Sequence, residues 1–221
     1  KNGYPQSREL ELDFDWAPSN RERYFSLLRQ MRDSLSSKGR RLSVTVRLHQ
    51  LSQAAPPADY GVLMAYNMGN FRNPKERNSI ISIARLREYL PGLRSYHLPL
   101  RAALPLYEWN LLFHEGKFVA IARDVNLSDT TSFLRIDRNR YEVLKYMPLP
   151  VGSSGASPSG RLYPGDILRR ERSEYAVLDS AIRMIGRERP EMRNDLILYH
   201  LDEKNINSFN DNEINDLYSG D

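Results

Sequence analysis

Asp13 and Asp15 stand two residues apart in LELDFDW, residues 10–16, at the end of an apolar alternation. On an extended strand, alternate residues share a face. Both carboxylates would therefore project to one side, and Leu12, Phe14 and Trp16 to the other. Two like charges so close cannot both ionise freely, and burying them is costly unless they are paired or functional. Either cations such as Arg47 or Arg101 neutralise them and hold a strand end, or they form a site. Further polar or aromatic candidates fall near other expected strand ends: Arg47, His49, Tyr107, Trp109, His200, Asp202 and Glu203. No H-E-x-x-H and no clustered His/Asp spacing supports a metal site. No G-x-G-x-x-G or G-x-x-x-x-G-K follows any strand, which sets nucleotide binding aside, and no cofactor is implied.

The elements that must position these residues follow from periodicity. ELELDFDW (9–16) alternates as a strand, and Ser19 with Glu22 reads as a capping box for a helix over 21–36 that Gly39 closes. RLSVTVRLHQ (41–50) is a second strand, with Val44, Val46 and Leu48 on one face and Thr45, Arg47 and His49 on the other. DYGVLMAYNMG (59–69) reads as a third strand, 78–93 as a helix ended by Pro91 and Gly92, and 98–109 as a fourth strand. Residues 110–147 hold short strand-like pieces without a clear place, and 151–160 (VGSSGASPSG) has the composition of a flexible loop. A helix over 164–189, a strand over 194–203 and one closing helix carrying Ile206, Phe209 and Ile214 complete the order. Strands alternating with helices predict parallel βα units in one domain spanning 1–221.

Bulk composition fits a globular chain rather than a disordered one: 221 residues, 40% hydrophobic and 27% charged. The net charge of +4 comes from arginines mixed with acids, and no basic run with interleaved aromatics argues for nucleic acid. The absence of cysteine rules out a disulfide framework and a thiolate zinc site. No apolar run approaches the ~20 residues of a membrane span. Lys1 opens the chain without a signal-like segment, as expected of a processed or truncated chain.

LELDFDW, LSVTV, LMAYN and ALPLY occur in the order and spacing of strands four to seven of family 18 glycoside hydrolases, the chitinase-like (β/α)8 barrels, which this chain resembles. The likeness is closest to bacterial relatives whose strand four reads DFD. The resemblance implies a parallel TIM-type barrel that lacks the first three βα units here, its edges completed by a missing N-terminal segment or a partner chain. It also favours an extracytoplasmic location. The family reaction is substrate-assisted: a glutamate protonates the glycosidic oxygen, the substrate's acetamide attacks, and an aspartate and a tyrosine hold that acetamide.

By the resemblance, Asp13 and Asp15 match the last two aspartates of D-x-x-D-x-D-x-E, and Met64 and Tyr66 match the start of M-x-Y-D. Leu10 stands at the first aspartate, Ala17 at the acid, and Asn67 at the strand-six aspartate, and the tryptophan of strand eight has no counterpart in LILYHLDE. Losing general acid catalysis forfeits typically ~10²–10⁴-fold in rate. The expectation is therefore a carbohydrate-binding barrel with a degenerate motif, weakly active or inactive on N-acetylhexosamine glycans, with Asp13, Asp15 and Tyr66 as its catalytic remnant. Arg47, His49, Met64, Asn67, Tyr107, Trp109, His200 and Asp202 would line it. One alternative is an active glycosidase whose acid is relocated to Glu108, Asp202 or Glu203. The other is a structural component of an assembly with no small ligand.

Overall fold

The computed structural model describes residues 7–155, 160–200 and 202–219. The chain begins with β1 (Glu9–Leu12), α1 (Arg21–Ser36), β2 (Arg41–Arg47), β3 (Tyr60–Met64), α2 (Ile83–Ser95) and β4 (Leu100–Pro105). An insertion follows, made of β5 (Glu108–His114), β6 (Lys117–Ala122), β7 (Phe133–Arg135), β8 (Arg140–Val143), β9 (Met147–Pro148), β10 (Ser154–Gly155), β11 (Arg161–Leu162) and β12 (Ile167–Arg172). The chain then returns through α3 (Tyr175–Glu188), β13 (Leu196–Tyr199), α4 (Glu203–Ile206) and α5 (Asp211–Ser219).

Strands β1-β2-β3-β4-β13 form a curled, all-parallel sheet in that order, parallel as the βα alternation predicts and a portion of a (β/α)8 barrel as the resemblance implies. Its outer face is apolar. Leu42, Val44 and Val46 on β2, Leu63 on β3 and Ala102 and Leu104 on β4 are buried against Phe25 and Leu28 of α1 and Leu178, Ala181, Ile182 and Ile185 of α3. Each fully buried leucine or valine stabilises the fold by about 1.5–3 kcal/mol. The inner face is polar, carrying Glu9, Glu11, Ser43, Thr45, Arg47, Tyr60 and Arg101. Ser43 Oγ donates to Glu9 Oε1 (2.7 Å), Arg101 Nη1 approaches Glu9 Oε2 at 3.8 Å, and Arg101 Nε donates to Asp195 at 2.7 Å. Burial acts to raise the Glu9 carboxyl, but the Tyr60 and Ser43 hydroxyls and the Arg101 charge outweigh it and hold it below its ordinary value. Desolvation, with repulsion from Glu9 and Asp13, pushes the neighbouring Glu11 up.

The second sheet, ordered β10-β6-β5-β12-β8-β7, is antiparallel and rests on its own core of Leu112, Ala120, Ala122, Phe133, Val143, Leu162 and Leu168. It takes up the stretch 110–147 and claims parts of two neighbouring elements. The strand expected over 98–109 divides at Pro105, and its last two residues open β5. The helix expected over 164–189 instead starts at Tyr175, because 167–172 is β12, paired on both sides by β5 and β8.

Other boundaries also move. β1 stops at Leu12 rather than Trp16, and β2 at Arg47, with 48–52 wound into a 3-10 turn that carries His49 off the inner face and into solvent. The Ser19–Glu22 box does not form. Asn20 is the residue before α1, and its side chain accepts from Ala17 N (2.8 Å). Ser82 caps α2, which runs through Pro91 for one more turn because Leu93 is buried and Gly92 lies against Leu51. The tail is two helices, with Leu217 fully buried and Phe209 packed on the core. In the expected loop, Ser154–Gly155 pair with β6, and 156–159 lie outside the described residues.

At the far tip of the insertion, exposed His114 shares a 2.6 Å contact with the buried Asp166 carboxylate, which raises the ring's pKa above its ordinary 6.5. The stability from this pair is full at pH below the ordinary value and is lost as pH rises through the raised folded-state value. An NMR titration is expected to show the ring titrating above 6.5, and Asp166→Asn to bring it back down. A wild-type midpoint at or below the ordinary value would refute the pairing.

Candidate functional site at the strand mouth

The C-terminal ends of the parallel strands converge on one mouth, where barrels of this type place their chemistry. Asp13 lies just past β1. Its Oδ1 accepts from Thr45 Oγ1 (2.7 Å) and Arg47 Nη2 (3.3 Å). Asp15 faces the same guanidinium, at 3.9 Å from Arg47 Nε, and Arg47 Nη1 donates to the Met64 thioether. Although the ladder ends at Leu12, side-chain alternation continues: Phe14 turns away onto Tyr24 (5.0 Å) and Trp16 onto Phe25 (5.3 Å). Asp13 and Asp15 therefore share a side, as their spacing predicts, but both are exposed rather than buried. The cation that joins them is Arg47. Arg101 serves Glu9 and Asp195 instead.

Beside this trio stands an aromatic group. Tyr66, buried just past β3, lies parallel to Tyr199 at the end of β13, with ring centres 5.1 Å apart and planes 3° from parallel. Tyr107 meets both edge-on, at 6.3 and 6.2 Å, and its hydroxyl donates to Asn67 Oδ1 (2.6 Å). His200 packs 6.1 Å from Tyr107, and Trp109 is 5.6 Å from Tyr107 on the other side. Burial pushes the Tyr66 and Tyr107 hydroxyls well above the ordinary tyrosine value, so both stay protonated donors at neutral pH. Tyr199 is 46% exposed at the mouth. Sequence reasoning passed over it because a tryptophan was sought in LILYHLDE. The tyrosine at that strand end was the available signal.

Trp109 is fixed from behind. Its Nε1 donates to Glu171 Oε2 (2.8 Å), which also accepts from Ser79 N (2.9 Å) and Ser79 Oγ (2.5 Å). Glu171 and Arg169 are both fully buried, with Nε 2.7 Å from Oε1, a coulombic contact rather than a well-aligned hydrogen bond. Burial lowers the Arg169 guanidinium from its usual value, and Glu171 acts against that shift.

The remaining candidates lie outside this cluster. His49 is exposed on the 48–52 turn. Glu108 is bound to Arg170 (2.6 Å) and lies 3.8 Å from Lys204. Asp202 caps α4 by accepting from Asn205 N (3.1 Å), and Glu203 occupies the first turn of that helix. Among the described residues no group of three His, Cys, Asp or Glu could hold a metal ion. A cavity of about 460 Å³, lined by 51–55, 91–92 and 95–97, shares no residue with the cluster.

No protein-family model matches the sequence, and no curated protein sequence matches it. Solved structures do match the fold. The chain superposes on the spore cortex-lytic enzyme SleL of Bacillus megaterium with a TM-score of 0.53 and 13% identity, covering 88% of this chain and 46% of that one. It matches a chitinase from Chromobacterium violaceum (TM-score 0.56, 12% identity, 96% of this chain and 65% of that one). It also matches catalytic domain 2 of the Group II chitinase of Ostrinia furnacalis (TM-score 0.55, 11% identity, 97% and 67%). The chain thus spans about half the length of the spore cortex-lytic enzymes it matches. Its fold is that of the chitinase-like glycoside hydrolase barrels.

Proposed function

We propose that the chain forms the sugar-binding part of a chitinase-like barrel whose hydrolytic machinery is incomplete. The observation that carries this reading is the Tyr66–Tyr199 stack at the strand mouth, with Asp13 and Asp15 beside it and alanine at position 17. Apolar sugar faces pack on aromatic rings, and the Tyr66 and Tyr107 hydroxyls and the Asn67 amide supply the few placed polar groups such a site needs. Asp13 and Asp15 would accept hydrogen bonds from the ligand, and Arg47 holds them in position. Ala17 has no proton to give. Glu108 is held in an ion pair and Asp202 in a helix cap, and Glu203 lies in the first turn of α4, which speaks against a relocated acid.

Calorimetry against chito-oligosaccharides and peptidoglycan fragments tests the reading. Wild type is expected to bind without turnover, and Tyr199→Ala to weaken binding about 10-fold, the upper range of one aromatic contact. A folded protein that binds none of these ligands would leave the Asp13–Arg47–Asp15 trio a purely structural bridge, a role its ion pairs also suit.

A further inference from the structure

The segment between β3 and α2, NFRNPKERN (residues 70–78), is a loop whose carbonyls are hydrogen-bonded along its length. Its stem pairs through Gly69 N to Ser79 O (2.9 Å), and a Cβ at Gly69 would lie 2.7 Å from Ser79 Cα, so only glycine fits. Donors from the inserted sheet take up its carbonyls in turn. Arg169 donates to the Phe71 (3.0 Å) and Asn73 (2.6 Å) oxygens, Arg140 to Pro74 (2.9 Å) and Glu76 (3.2 Å), and Asn139 to Arg77 (2.6 Å). The one acid in the loop, Glu76, is occupied by Arg85 at 2.6 Å.

What remains free is cationic. Arg72, Lys75 and Arg77 are exposed, and among the described residues none of them forms an ion pair. The same loop touches the mouth, since the Phe71 ring lies 6.0 Å from Trp109 and carries the Arg72 guanidinium 5.3 Å above it. Three unpaired cations on an already ordered backbone give up little further loop entropy on binding, and guanidinium forks match carboxylates.

Resting on the carbohydrate reading above, we propose that this loop is a carboxylate-binding rim, and that the preferred ligand is an anionic hexosamine glycan. Its neutral residues would lie on the tyrosine floor and its carboxylates would reach Arg72, Lys75 and Arg77.

The test titrates the wild-type chain with chitohexaose and with the same hexamer oxidised to carboxylates at carbon 6. The carboxylated form is expected to bind about 10-fold tighter at low salt, with the advantage shrinking as salt rises. The variant Arg72→Gln/Lys75→Gln/Arg77→Gln, checked by circular dichroism, should lose that advantage and keep its affinity for chitohexaose. Equal affinity of wild type for both hexamers overturns the rim while leaving the sugar site standing, and so does a preference that survives in the variant. Binding of neither hexamer overturns the sugar site and the rim with it. An oligothymidylate of equal charge bound as tightly, with the same loop dependence, replaces the glycan assignment with a general polyanion surface.

Discussion

Arg169→Met is expected to lower the free energy of unfolding by about 3–5 kcal/mol, the loss seen when one partner of a buried ion pair is removed. Glu171 would remain buried with no countercharge, and the carbonyls of Phe71 and Asn73 would lose their donors. Glu171→Leu should cost a similar amount, because it strands Arg169 and frees both Ser79 and the Trp109 indole. The two changes together are expected to cost clearly less than their sum, since contacting partners are not additive. Urea midpoints of the four proteins, at constant slope, measure this. Single variants as stable as wild type would mean that Arg169 and Glu171 contribute nothing net where they meet.

The second large effect is a gain. Ala17→Glu is expected to raise hydrolysis of an aryl N-acetylglucosaminide above the wild-type rate by a factor within the ~10²–10⁴ that a general acid supplies. Continued one residue further, the alternation that sends Asp13 and Asp15 to Arg47, and Phe14 and Trp16 to α1, would put position 17 on the carboxylate side. Its backbone is already fixed by the Asn20 side chain. Repulsion from Asp15 would raise the new carboxyl toward the range of a general acid. Release of the aryl chromophore measures the result, with substrate binding shown separately. A variant that binds but does not turn over would mean that Asp13 and Asp15 do not stand in catalytic register with position 17.

The parallel sheet was legible because both its signals are local. Strands such as LSVTV carry apolar residues at period two for the outer face, and 21–36 carries them at helical spacing. The shared side of Asp13 and Asp15 was legible from their spacing of two, whereas Tyr66 was singled out through the resemblance of LMAYN to the family's strand six. The insertion was not. β12 reads ILRRER, a charged run whose strand conformation is set by pairing with β5 and β8 far away in the chain. Its two buried charges are meaningful only once Ser79 and Trp109 are brought beside them. His49 was misplaced because the strand alternation was carried past Arg47 into a turn that no residue pattern announced. Tyr199 was missed because a tryptophan was sought at that strand end, and its stacking on Tyr66 shows only in the fold.

The way the 70–78 loop is anchored bears on how such a protein can diversify. Its holders, Arg169, Arg140 and Asn139, grip main-chain oxygens, which every amino acid presents alike. Positions 72, 75 and 77 are therefore interchangeable letters in a frame that does not read them, and their replacement leaves the scaffold's grip intact. Selection, or a combinatorial library, can rewrite the chemistry of the rim at these three sites without renegotiating the fold.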